Sequence, residues 1–247
     1  MTDSAKKPKM TLFDRQVFET FVHPREVVEV RILGARGKAQ AWGGEWANGT
    51  VSGYFDDHRA FCQAVQAADK ALHSGIYFTL QVIDPRLIGR AFNRLKPINV
   101  TTADHNITTY RWLPIDIDPV RPSGIASSDS ELKEALRLRD RMAVEISQDR
   151  GWPAPIKAMS GNGAHLLYAL GDMPADERTT LFIKGVLFEL AKKYDTPTAK
   201  IDQGVFNPAR IWKLYGTTAR KGDEVPAGPN REARPHRMSF ISALGDQ

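Results

Sequence analysis

From Ala103 onward the chain alternates extended and helical runs in the order strand, helix, strand, strand, helix, strand, strand. That order limits what the chain can fold into. A parallel dinucleotide-binding sheet needs each strand followed by a helix, whereas two adjacent strand pairs favour a mixed, largely antiparallel sheet with helices packed on one face. The expected class is therefore α+β.

The individual runs are legible. RWLPIDID (111–118) is a strand stopped by Pro119 and Pro122, and Ser128 with Glu131 has the spacing of a capping box that opens a helix over 129–149, ended by Gly151. APIKAM (154–159) and AHLLYAL (164–170) are strands joined by the small residues Ser160 to Gly163, which predict a tight hairpin loop. Pro174 starts a second long helix to about Tyr194, and KIDQGVF and ARIWKLYG follow as a further strand pair.

Upstream, EVVEVRIL (26–33) alternates as a strand, and Asp56 or Asp57 caps a helix running to Leu72 with Phe61, Val65, Ala68 and Leu72 inward. GIYFTLQVI (75–83) reads as one buried strand. PRLIGRAFNRL (85–95) reads as a short helix with Leu87, Ile88, Ala91, Phe92 and Leu95 inward. Residues 1–22 are expected to be a flexible arm with no apolar stretch of signal type, followed by a single core over 23–240.

Asp116 and Asp118 carry the sharpest chemistry. Two residues apart on a strand, they project to one side while Ile115 and Ile117 point to the other. Adjacent carboxylates repel unless cations lie between them, and hard oxygen ligands suit Mg²⁺ or Mn²⁺. On their own, the two acids would serve equally well to cap a strand as it turns into Pro119. The loop Ser160, Gly161, Asn162, Gly163 and the adjacent His165 could hold a triphosphate through free N–H groups, a hydroxyl and an imidazole, or be a plain hairpin turn. Asp202 supplies a third acid, which a pair of metals about 4 Å apart requires. It lies among Arg210, Lys213, Arg220 and Lys221, so an internal ion pair is the competing explanation.

The 247 residues contain one cysteine, Cys62, which excludes an internal disulfide and a cysteine-rich zinc site and fits a cytoplasmic setting. No apolar run approaches the roughly 18 residues of a membrane span. The net charge is +5, and between Lys200 and Met238 basic residues outnumber acids, which suits a polyanionic partner. Trp42, Trp46 and Tyr54 are candidate stacking aromatics for a nucleic-acid strand.

Taken together, Ile115-Asp116-Ile117-Asp118, Ser160 to His165 and Ile201-Asp202 resemble, in order, the three motifs of the archaeo-eukaryotic primases. The resemblance covers roughly residues 70–240, and GIYFTL, RAFNRL, IDIDPVRPSG and RIWKLYGTTARKG are similar to prokaryotic primase-polymerases of plasmid, phage and CRISPR-associated type. It implies an N-terminal α/β unit (about 23–100) and an RRM-like catalytic unit (about 101–240) with the active site between them. Asp116, Asp118 and Asp202 would bind two divalent metals, with no zinc. Ser160, Gly161, Asn162, Gly163 and His165 would contact the nucleotide, with Arg210, Lys213, Arg220 or Lys221 as further phosphate contacts. The implied partners are a single-stranded DNA template and primer, NTP or dNTP substrates, and a helicase or other replication or CRISPR partner domain. Outside this resemblance, the acids also admit a metal-dependent nucleotide-sugar glycosyltransferase or a non-catalytic, DNA-binding replication-initiator module.

Overall fold

A computed structural model describes residues 9–245. The order of elements is α1 (Arg15–Phe21), β1 (Val28–Lys38), β2 (Trp46–Phe55), α2 (His58–Asp69), β3 (Gly75–Thr79), β4 (Val82–Ile83), β5 (Lys96–Pro97), β6 (Ile107–Pro119), α3 (Asp129–Arg150), β7 (Ile156–Met159), β8 (Ala164–Pro174), α4 (Glu177–Tyr194), β9 (Ala199–Ile201), β10 (Ile211–Lys213), β11 (Thr218–Ala219), β12 (Arg237–Met238) and β13 (Phe240–Ala243).

β6 organises the molecule. Leu113, Ile115 and Ile117 alternate onto one face and are buried there, and α3 and α4 both pack against this strand. The opposite face carries Trp112, Asp116 and Asp118. β6 pairs antiparallel with β8 on one side and with β9 at its C-terminal end, and β8 pairs with β7. The run β6–α3–β7–β8–α4–β9 thus gives the strand order β9-β6-β8-β7, the split β-α-β arrangement. β13 and β4 extend this sheet to six strands. A second sheet has the order β10-β3-β1-β2-β5. Every ladder between named strands is antiparallel, so the largely antiparallel α+β reading holds.

Helix boundaries follow the capping chemistry. Ser128 and Glu131 form the reciprocal capping box of α3, and Gly151 closes the helix in the left-handed conformation (φ 64°). Asp57, the expected cap of α2, accepts the Ala60 N–H at 2.7 Å. That helix ends at Asp69, which leaves Leu72 outside it and exposed. Pro174 ends β8 instead of starting α4, whose cap is Asp176, accepting the Thr179 N–H at 2.8 Å.

Four other expectations change. Residues 9–22 of the expected flexible arm are built into the fold: Met10 bridges Ile241, and Phe21 of α1 packs on Phe78 and Trp112 with ring centroids 5.6 and 5.4 Å apart. Residues 1–8 of that arm lie outside the described residues. The stretch 75–83 divides between the two sheets as β3 and β4. Buried Gln81 manages the crossing, its side chain accepting the Arg111 and Trp112 N–H groups and donating to the Trp112 carbonyl. The helix expected at 85–95 is only a 3₁₀ turn over Pro85–Arg90, after which the chain leaves helical geometry and turns at Asn93, with Phe92 out in solvent. The last strand pair separates: β9 joins β6, while β10 returns to pair with β3 in the other sheet.

One hydrophobic core spans both sheets, running from Val30, Ile32 and Phe78 to Ile115, Leu166 and Ile183. Among the described residues no helix is long and apolar enough to cross a membrane.

Candidate active site

The three acids meet where β6, β8 and β9 end together. Asp116 lies opposite His165 on β8, and Ile117 lies opposite Ile201 on β9. The Asp202 N–H donates to the Asp116 carbonyl at 2.9 Å, so acids 86 positions apart in sequence are bonded neighbours in the backbone. His165 Nε2 is 3.3 Å from Asp116 Oδ1.

A directed chain of hydrogen bonds fixes this histidine. The Trp212 indole N–H donates to the Tyr215 hydroxyl at 2.8 Å, and that hydroxyl is 2.7 Å from His165 Nδ1. The Tyr215 hydroxyl accepts from the indole and has its own O–H to offer to Nδ1, the arrangement in which Nε2, facing Asp116, carries a proton. Trp212 also lies against the imidazole, with ring centroids 4.2 Å apart. Burial holds the Tyr215 phenol protonated, which keeps it a donor. Trp212 and Tyr215 were not singled out in the sequence; the only signal was their spacing in IWKLYG beside the third motif.

The two carboxylates on β6 are electrostatically unequal. Burial raises the Asp116 carboxyl, but His165, Lys221 and Arg210 outweigh it and hold the group below the usual carboxylate range. Asp118 goes the other way: burial and the Asp116 charge push it up to about 6, against partial relief from Arg121, Lys221 and His165. The Arg121 guanidinium is 3.8 Å from Asp118 Oδ1 and is a further site residue the motifs did not reveal. The Asp202 carboxylate accepts the Gly204 N–H at 2.8 Å and meets Arg210 at 3.3 Å.

The small-residue loop is closed, not an open cradle. Its N–H groups are largely taken: Gly163 N–H donates to Ser160 Oγ, Ser160 N–H to the Gly163 carbonyl and Gly161 N–H to Met159 Sδ. Asn162 is buried, accepting from Ser127 and donating to the Lys221 carbonyl. The loop therefore braces the site and positions Lys221. Gly163 is required by contact: a Cβ there would lie 2.6 Å from the Ile117 carbonyl and 3.2 Å from Asp118 Oδ1.

The basic candidates divide. Arg210 and Lys221 flank the acids. Lys213 does not: it points to the other face of β10, is 5% exposed and donates to Thr217 Oγ1 at 2.7 Å. Arg220 also turns away, to Asp69 at 3.2 Å and His73 at 2.6 Å. Farther along, Arg234 and Arg237 are neutralised by Glu131 and Asp129. Of the stacking candidates, Trp42 and Tyr54 are core residues and Trp46 is exposed.

Among the described residues no three His, Cys, Asp and Glu side chains converge as a ready metal centre. The donor set nevertheless suits a hard divalent cation: two carboxylates on one strand face, Asp118 under-compensated, with a third acid bonded to Asp116 through the backbone. No family model matches the chain, and no curated protein matches its sequence.

Proposed function

We propose that the protein is a template-directed nucleotidyltransferase, a primase-polymerase of the archaeo-eukaryotic type. It joins nucleoside triphosphates into a primer, or extends one, on a single-stranded DNA template. In this reading the β6–β9 sheet with α3 and α4 is the RRM-like catalytic unit, and the five-stranded sheet is the N-terminal unit beside it. The observation that supports the reading is the backbone hydrogen bond from Asp202 to Asp116, which brings the third acid beside the strand end that carries Asp116 and Asp118, next to His165.

The reaction is in-line attack of a 3′-hydroxyl on the α-phosphate, with pyrophosphate leaving. Two divalent cations, Mg²⁺ or Mn²⁺, held by Asp116, Asp118 and Asp202, would supply activation of the hydroxyl and neutralisation of the developing charge. The remaining work falls to the chain itself. Once cations take up Asp116, His165 would turn its Nε2 N–H from that carboxylate to a phosphate oxygen, without needing to act as a base. Arg210 and Lys221 offer charge to the triphosphate, Arg210 exchanging Asp202 for a phosphate. Arg121 and the braced loop hold Asp118 in place.

The test is to incubate the protein with a single-stranded template, Mg²⁺ or Mn²⁺ and labelled triphosphates, with and without primer. Labelled oligomers without primer establish priming, and products only with primer restrict the activity to extension. If no nucleotide is incorporated while sugar nucleotides are consumed, the reading falls to a glycosyltransferase. Strand binding with no turnover of either substrate points to an initiator module.

A further inference from the structure

Phe92 occupies the position where the chain's patterning and its structure disagree most. The spacing in RAFNRL predicts an inward ring, yet Phe92 is 63% exposed, while Ala91 and Leu95 on either side are buried. The exposure is built in. Ala91 to Asn93 lie along the edge of β2, the Tyr54 N–H donating to the Ala91 carbonyl at 3.0 Å and the Asn93 N–H to the Tyr54 carbonyl at 2.9 Å. Asn93 adopts the left-handed conformation (φ 48°), and its amide clamps Asp56, donating at 2.7 Å and accepting the Asp56 N–H at 3.2 Å. Gly53 permits the close approach, since a Cβ there would meet the Arg94 carbonyl. A side chain held this firmly at its base loses little freedom when something packs on its face.

Its neighbours along the chain are mostly basic, and the acid beside it, Asp56, is held by Asn93. Arg86 is tied to Asp84, and Arg90 donates to the Tyr54 hydroxyl and the Thr101 carbonyl. Exposed Arg94 and half-buried Lys96 enter no ion pair among the described residues.

The sheet register places this feature relative to the acids. Phe92 bridges Tyr54, and Tyr54 is opposite Glu29. The Glu29 N–H donates to Thr79 Oγ1, and Thr79 is opposite Ile211. Ile211 follows Arg210, the residue paired with Asp202. Four strand spacings of about 4.8 Å put Phe92 roughly 19 Å from β10 across the sheet.

We propose that Phe92 is a stacking platform for an unpaired base of the single-stranded template, with Arg94 and Lys96 holding the adjoining phosphates. A flat aromatic face accepts any base, and free cations beside it follow the backbone, so the site suits single strands without sequence preference. This assignment rests on the nucleotidyltransferase reading for the identity of the strand. Its binding test, however, needs no turnover.

The experiment measures anisotropy of a labelled 20-nucleotide oligo-dT and of a blunt duplex of equal length at one fixed salt concentration, using the full chain and its Phe92→Ala and Phe92→Trp variants. Expected are about tenfold weaker binding of the single strand by Phe92→Ala, retention within about twofold by Phe92→Trp, and unchanged duplex binding. Equal melting temperatures would confirm that the exposed ring carries no folding role. Unaltered single-strand binding by Phe92→Ala, or an equal loss on duplex and single strand, overturns the platform while primer synthesis by the parent chain leaves the functional reading intact. If the parent chain binds no single strand and makes no product, both fall together.

Discussion

Two clusters of charge lie on opposite faces of β10, and they treat their carboxylates differently. On the Lys213 face, Asp69 accepts from the Thr218 N–H and hydroxyl and from Arg220, with His73 3.5 Å away. Burial works against its ionisation, but those partners overcome it and lower its carboxyl to about 2. On the Trp212 face, Asp116 and Asp118 confront each other, and Asp118 is pushed up to about 6. One cluster is closed, its carboxylate answered by neighbours that the fold supplies. The other leaves negative charge for something outside the chain to answer. That contrast separates an ion-pair network that staples α2 to the C-terminal segment from a site built to receive a ligand, although both look alike in sequence as acids among bases.

The largest expected effect breaks the open cluster. Asp116→Ala with Asp118→Ala should lower primer synthesis by about a thousandfold or more, on the order of 4 kcal/mol of transition-state stabilisation. The melting temperature should hold steady or rise, because a repelling pair is removed. Primer extension assays beside thermal melts decide this; a double variant that still extends primers would remove the metal assignment.

Next comes the closed cluster, where the outcome should be the reverse. Asp69→Asn leaves Arg220 without its counter-charge and should cost about 2–3 kcal/mol of stability at pH 7. Catalysis at saturating substrate should be spared. The Asp69 carboxyl is lowered on folding, so its contribution is fully present above about pH 4. It disappears as the pH falls through about 2. Urea unfolding at several pH values should therefore show the two proteins converging only in strong acid.

What the sequence could show divides along the same line. Periodicity and caps located α2, α3, α4 and β6, because those elements bury one face and close their ends locally. The D-x-D pair was legible because a strand's two-residue repeat decides its geometry without knowledge of the rest. The fates of Lys213, Arg220 and Phe92 were not legible, since each depends on a partner distant in sequence: the Ile76 carbonyl, which joins nearby Thr217 and Thr218 around Lys213, Asp69 on α2, and the Asn93–Asp56 clamp. The loop at 160–163 differs in that its partners are local: its N–H groups looked free until the Met159 sulfur and the loop's own carbonyl and hydroxyl were placed against them.

A smaller effect sharpens the comparison through the histidine. Tyr215→Phe deletes the hydroxyl between Trp212 and His165, freeing the imidazole to place its proton on either nitrogen. Activity should fall about tenfold, roughly 1.4 kcal/mol. The ¹⁵N shifts of His165 should change from a single tautomer to a mixture. An unchanged tautomer would mean that Asp116 alone orients the ring.

The last effect tests the closed cluster by titration. Burial, with Arg220 nearby, lowers the Lys213 ammonium to about 7, only partly opposed by Asp69. An unfolded lysine titrates near 10.4. Between these values the unfolded chain binds the extra proton, so folding stability rises with pH across the window, at up to about 1.4 kcal/mol per pH unit. Below about pH 7 both states are protonated and the cost of burying the charge is constant. Lys213→Met fills the same space without a titrating group. Chemical denaturation from pH 7 to 9 should show the parent chain gaining stability relative to this variant, with the two curves approaching each other as the pH climbs. Parallel curves would mean that Lys213 keeps its proton in the fold, and that the face opposite the acids is less completely neutralised than its hydrogen bonds imply.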